Sequence, residues 1–295
     1  MSEENKNSSR RDFLQKLGVT GLGAIAASSA LLSGCSSEKS EETKKVKLLT
    51  QDNKLVEVDS SQLSPVLSDE DKAYLQKKGR EGLPGKKFVM VVDLQKCKNA
   101  RKCMTACQNA HQLHPEQHHI NVLEMRNETS GTSYYMPKTC QHCDNPPCVS
   151  VCPVDATFKR QDGIVLIDNE RCIGCRFCIA ACPYSARTFN WREPKDAEIH
   201  KNEAYDIELN VPQKKGTVTK CAFSADRLRD GKLPYCVSAC PNGVYYFGDA
   251  NEDLVTNGTT KKTVRLSELL KDNAAFTLMQ ELGTKPSVYY LPPRT

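Results

Sequence analysis

Apolar residues in this chain fall in short runs between polar and turn-forming stretches, and long amphipathic stripes are scarce. The run Phe88-Val89-Met90-Val91-Val92 is apolar without interruption, the pattern of a strand covered on both faces. Val46–Leu49 and Leu55–Val58 flank Gln51-Asp52-Asn53-Lys54, which predicts a small hairpin. A second hairpin is predicted over Phe158–Asp168, around the turn Asp162-Gly163. Short strands are expected over Ala186–Trp191 and Val244–Asp249, and a helix over Ser68–Lys78 with Ser68 as its N-cap. Residues 192–218 are polar and aperiodic, and are expected to form an inserted surface loop or a partner contact. The stretch Leu282–Pro293 is aromatic and Pro-rich, so it is expected to lie against another surface. Short strands, short helices and long connections together predict an α+β chain.

Composition changes this picture in one respect. An apolar content of 39% over 295 residues is modest for a large oily core, but the chain carries 15 cysteines. Metal–thiolate bonds tie loops together much as a core does, so cysteine sites are expected to replace part of it. The net charge of +5 comes from dispersed residues, which excludes the clustered basic face of a nucleic-acid binder. No Ser-His-Asp set, phosphate loop, nucleotide fingerprint or paired acid–base carboxylates stand out, so no catalytic site of its own is expected.

Fourteen of the cysteines form four groups. Cys172-x2-Cys175-x2-Cys178-x3-Cys182-Pro183 is an unbroken C-x2-C-x2-C-x3-C-P run, and Cys140, Cys143, Cys148 and Cys152-Pro153 differ from it only by a longer middle gap. This spacing suits cubane iron–sulfur clusters, in which the fourth cysteine serves the neighbouring cluster. Three thiolates on a tight loop cap three irons, and the fourth points away to a second motif. Zinc is the rival reading of C-x2-C pairs, but two groups of four ending in Cys-Pro are poor zinc spacing. The flanking groups are thinner. Cys97, Cys103 and Cys107 have Ala100 where the template has a cysteine, and Cys221, Cys236 and Cys240 have Ser224. His111, His114, His118 and His119 invite a metal or haem reading. They lack a haem-attachment motif and are interrupted by Pro115, so a solvated polar loop is expected.

The N-terminus reads as a targeting segment over residues 1–35. Arg10-Arg11-Asp12-Phe13-Leu14 is similar to a twin-arginine signal, and Leu32-Ser33-Gly34-Cys35 is similar to a lipobox, with Cys35 as the acylated residue. Residues 36–86 are expected to be a tether and an N-terminal extension. Together these features predict export of the folded chain and a lipid anchor on the periplasmic side of a bacterial membrane.

The four groups in this order, with the eleven-residue gap before Cys236, resemble the iron–sulfur subunit of the complex iron–sulfur molybdoenzymes, such as dimethyl sulfoxide, tetrathionate and polysulfide reductases. The resemblance implies two pseudo-symmetric ferredoxin-like dicluster modules over residues 87–250. The intact pair would lie at 135–190, the degenerate pair at 87–115 and 216–250, and residues 251–295 would form a C-terminal docking tail. It also implies the ligand sets. One [4Fe-4S] cluster would use Cys140, Cys143, Cys148 and Cys182, and a second Cys172, Cys175, Cys178 and Cys152. Cys97, Cys103 and Cys240 would form one degenerate site, and Cys221, Cys236 and Cys107 the other. Three readings of the degenerate pair stay open: one or two [3Fe-4S] clusters, an oxygen ligand from Ser224, or no cluster. The implied function is electron transfer between a molybdopterin-type catalytic subunit and a quinone-linked membrane subunit or cytochrome. Alternatives are a hydrogenase, a quinol-oxidising complex, or a partly cluster-free adaptor. Lys96, Arg101, Lys102, Arg171 and Arg176 are candidates to offset cluster charge, and Trp191 to pack over a cluster.

Overall fold

The structure, a computed structural model, describes residues 45–49, 55–59, 69–126, 128, 131–194 and 203–293. The signal motifs at 1–35, Cys35 with them, and residues 36–44 lie outside the described residues. Two units are distinguished, Met1–Val66 and Leu67–Thr295. In the first, β1 (Lys45–Leu49) and β2 (Leu55–Asp59) pair antiparallel, Leu49 opposite Leu55, as the turn sequence predicts.

In the second unit, α1 (Asp69–Glu81) leads to β3 (Phe88–Asp93), α2 (Lys102–Ala110) and the hairpin β4 (Asn121–Arg126)–β5 (Ser133–Lys138). Then come α3 (Pro147–Ser150), the hairpin β6 (Thr157–Lys159)–β7 (Val165–Ile167), α4 (Phe177–Ala180) and β8 (Arg187–Phe189). β9 (Val218–Lys220) pairs antiparallel with β8 and is followed by α5 (Ala225–Leu228) and α6 (Tyr235–Ala239). β10 (Tyr245–Asp249), β11 (Leu254–Asn257), β12 (Thr263–Arg265), α7 (Leu266–Asp272) and β13 (Val288–Leu291) close the chain. The content is mixed α+β, and among the described residues no helix is long and apolar enough to cross a membrane.

β3 is apolar from Phe88 to Val92 because it is an interior strand covered on both faces. The sheet order is β12-β11-β10-β3-β13, with Tyr245 opposite Val92 and β13 parallel to β3. Val89 and Val91 pack with Val255, Leu266 and Leu291 on one face, while Met90 and Val92 join the cysteine-bearing core on the other. Burying each such side chain contributes roughly 1.5–3 kcal/mol, which anchors the first cysteine group to the sheet. Residues 251–293 therefore contribute three strands and a helix to this sheet, and the Pro-rich stretch lies along β3 of its own chain.

The polar stretch 192–218 is not the surface loop its composition predicts. Residues 195–202 lie outside the described residues, but Ile207, Glu208, Asn210, Val211 and Gln213 are buried. Arg160 donates to Asp162 and Glu208 at 2.5 and 2.6 Å, and Arg229 to Glu208 at 2.7 Å. Two cations and two anions compensate one another there, which is what lets charges leave water. Hydrophobicity patterns do not register such a segment because its burial is carried by ion pairs and amides.

Candidate functional site

The structure gathers the cysteines across groups. Cys140, Cys143, Cys148 and Cys182 line one small space, with Tyr184 and Arg187. Cys152, Cys172, Cys175 and Cys178 line a second. In both, the cysteine that precedes proline comes from the other group. Single turns of helix do this: Cys148 sits in α3 and Cys178 in α4, and the two turns pack together. In the flanking module Cys97, Cys103 and Cys240 line a third small space, with Ala100 where the template has a cysteine. Cys103 and Cys107, one turn apart in α2, share a face, and α2 packs on α6, which carries Cys236.

One backbone turn recurs in all four loops. The second residue after the first cysteine has positive φ in each: Asn99 (55°), His142 (42°), Gly174 (72°) and Phe223 (52°). A left-handed residue at this step turns N–H groups inward and helps form an anion-binding nest. Val218 N–H donates to Cys172 Sγ, Thr157 N–H to Cys152 Sγ and Phe223 N–H to Cys221 Sγ, all at 3.4 Å. At Gly174 a Cβ would fall 2.1 Å from the Gly216 carbonyl oxygen, so the loop excludes larger residues there.

Electrostatics divide the thiols. Burial pushes Cys143 up to about 12 and Cys107 and Cys236 well above the ordinary thiol range, with neighbouring thiols adding to the shift. At Cys152 burial acts upward too, but the N–H groups of Thr157, Val154 and Ala156 outweigh it and leave the thiol below its ordinary value. Sets of buried thiols facing shared space, with N–H donors around them, fit a soft metal centre that deprotonates its own ligands.

Two buried cations lie among the thiols, and the sequence reading missed both. Arg187 donates through Nη1 to Thr157 Oγ1 at 3.1 Å, while its buried Nη2 has no hydrogen-bond partner. It lines the Cys140 space, and its partner Thr157 lines the Cys172 space. Desolvation opposes its charge, but the thiols of Cys148, Cys178 and Cys140 hold its pKa above the ordinary value. Lys220, 1% exposed, donates to the carbonyls of Val165 and Cys221. Of the exposed cations chosen from sequence, Lys96 pairs with Asp93 and Arg171 with Asp155 and Asp168, while Arg101 and Lys102 line the Cys97 space and Arg176, set over Phe189 and Trp191, lines the Cys172 space. The available signal was position, since Arg187 is the fifth residue after Cys182.

Residues 132–201 and 196–250 match the 4Fe-4S dicluster domain family. The chain is 37% identical over 308 aligned positions to a selenate reductase subunit of Mesobacillus selenatarsenatis, covering 98% of this chain and 99% of that one. It is 31% identical to a tetrathionate reductase subunit of Salmonella typhimurium, over 97% and 89% of the two chains. It is 38% identical to the menaquinone reductase iron-sulfur cluster-binding subunit of Nitratidesulfovibrio vulgaris, over 70% and 88%. The chain belongs to the molybdoenzyme iron–sulfur subunit family. It is an electron-transfer subunit that carries iron–sulfur clusters.

The flanking module differs from the inner one in its side chains. Ser224 Oγ accepts from Tyr235 N–H at 3.1 Å at the start of α6 and so already has a partner. Tyr245, the fifth residue after Cys240, stands where Arg187 stands in the inner module. It is fully buried beside Cys103 and Cys236. The solvated histidine loop expected from sequence is also corrected: His111 and His119 are 2% and 4% exposed, next to Cys107. α2 ends at Ala110, the chain turns at Gln112 (φ 50°), and the returning segment lays His119 beside Cys107, a contact that helical spacing does not encode. Trp191 is exposed and stacks edge-on against Phe189 at 4.5 Å rather than covering a thiol set.

Proposed function

We propose that the two crossed cysteine quartets hold one [4Fe-4S] cluster each, with Cys140, Cys143, Cys148 and Cys182 on one and Cys152, Cys172, Cys175 and Cys178 on the other. The observation that carries this reading is Arg187, a buried guanidinium with one unpartnered nitrogen between two sets of thiols. A buried cation needs anionic partners, and cluster thiolates and sulfides supply them. The clusters pass single electrons; the chain's own residues set ligation, shield the centres from water and donate N–H groups to sulfur. Cys97, Cys103 and Cys240 would hold a [3Fe-4S] cluster, because Ala100 leaves the fourth corner without a ligand. The two modules would then be pseudo-symmetric variants of one ferredoxin-like plan.

The partners follow from the same reading. Cys175 is the exposed thiol among the described cysteines, and around it Ile173, Phe177 and Trp191 are 64%, 60% and 66% exposed. Such a rim suits a docking face where electrons cross to another subunit. We place a molybdopterin-type catalytic subunit and a quinone-linked membrane subunit at the ends of the chain of clusters, with no catalytic site in this chain. Twin-arginine export and acylation at Cys35 would hold it on the periplasmic face. Iron and sulfide analysis with EPR of anaerobically purified protein tests the core of this reading. Two reducible four-iron clusters per chain are expected, and a protein with no reducible cluster would end it.

A further inference from the structure

Cys107, His111 and His119 are all buried, and one ligand atom from each lies within 4.8 Å of the others. The Cys107 Sγ to His119 Nδ1 distance is 3.7 Å. Two ligands of one tetrahedral zinc ion, at bond lengths of about 2.3 Å to sulfur and 2.1 Å to nitrogen, stand about 3.6 Å apart. Ligands on different corners of a cubane stand further apart than that, so this pair fits a single ion and not two irons of a cluster.

The second nitrogen of each ring is already committed. His111 Nδ1 lies 2.7 Å from the Leu209 carbonyl, which can only accept, so Nδ1 carries the proton and Nε2 is a lone pair. His119 Nε2 lies 2.8 Å from Thr219 Oγ1; in the tautomer in which Nε2 donates to that hydroxyl, Nδ1, the atom facing Cys107, is a lone pair. Metal-bound histidines characteristically show this outer hydrogen bond. Both rings are buried, and a metal ion takes the neutral imidazole. The two outer partners come from segments far from the histidines in sequence: Leu209 from the buried part of the polar insertion and Thr219 from β9.

We propose that Cys107, His111 and His119 bind a single zinc-class divalent ion in place of a fourth cluster, with Cys221 or Cys236 as fourth ligand. Two thiolates and two neutral imidazoles cancel the charge of a divalent ion, so the centre is neutral overall and suited to a closed interior. Ser224, in the position of the missing cysteine, is held by Tyr235 N–H and does not compete. The inference goes beyond the electron-transfer reading: the site is redox-silent, and it clamps α2 to β9 or α6 beside three electron-carrying clusters.

The test uses the full-length protein purified anaerobically, with zinc, iron and sulfide counted and EPR recorded. One zinc per chain is expected. His119→Ala and His111→Ala should each lower zinc occupancy by ~tenfold or more and leave the EPR of the inner clusters unchanged. Zinc that had merely filled an empty cysteine cavity would survive both substitutions, and that result overturns the proposal. A second three-iron signal that persists in the histidine variants overturns it as well. Should the variants fail to fold, cobalt exchanged into the wild-type protein must show thiolate-to-cobalt charge transfer with tetrahedral ligand-field bands, and their absence refutes the site. Loss of the inner EPR signals would instead strike the electron-transfer reading and leave the zinc count readable.

Discussion

Arg187 and Tyr245 stand at the same step of their motifs, five residues beyond Cys182 and Cys240, yet they set unlike chemistry among the thiols they meet. In the inner module a guanidinium with an unpartnered nitrogen lies between two quartets of cysteines. In the flanking module a neutral phenol lies beside Cys103 and Cys236, and each thiol set has lost one member. The loop backbone is alike in both, with left-handed residues at Asn99, His142, Gly174 and Phe223. This turn is therefore common to loops with three and with four cysteines, and at this step the loops differ in side chains. A cation beside a centre favours its reduced form, whereas a missing thiolate changes which centre can form at all.

The largest expected effect comes from removing a ligand in each half. Cys178→Ala should lose about four irons and four sulfides per chain, while Cys103→Ala should leave the inner EPR signals intact. If both substitutions emptied the inner sites, the halves would not be independent. Next is the charge between the quartets. A unit charge about 6 Å from a cluster contributes roughly 3 kcal/mol at an effective dielectric near 20, on the order of 100 mV for one electron. Arg187→Gln should lower the inner midpoint potentials by that order in an EPR-monitored titration, Arg187→Lys by less, and Tyr245→Phe should leave them where they are.

Backbone geometry ranks third. Gly174→Ala should destabilise the protein by about 2 kcal/mol or more, since a Cβ at positive φ costs strain and meets the Gly216 carbonyl. Denaturant unfolding followed with cluster absorbance measures it, and an unchanged midpoint would show that the loop adapts. Ala100→Cys restores the missing thiolate, so iron should rise by about one per chain as a three-iron centre becomes four-iron. The smallest effect is at the surface. Phe177→Glu should leave iron content unchanged and weaken co-purification with partner subunits; undiminished co-purification would move the docking face elsewhere.

Much of this was legible in the residues. The crossing of Cys152 and Cys182 between groups followed from motif spacing, because a tight loop presents three thiolates one way and the fourth another. The hairpins at 45–59 and 157–167 followed from alternation and turn residues, and the central strand from its unbroken apolar run. The histidines did not read correctly, because His111 and His119 meet only after the chain turns at Gln112. The burial of residues 207–213 was also hidden, since Arg160, Asp162, Glu208 and Arg229 neutralise one another across distant segments.

Order and spacing along the chain were enough to assign the metal-binding class, the number of cysteine sets and the family, because ligation by loops is a local property of a few consecutive residues. Folding alone decided which charges and rings stand beside those sets. Arg187, Lys220, Tyr245 and the pair His111–His119 acquire their meaning from desolvation and from neighbours brought in from elsewhere in the chain, and neither is written in any short stretch of sequence.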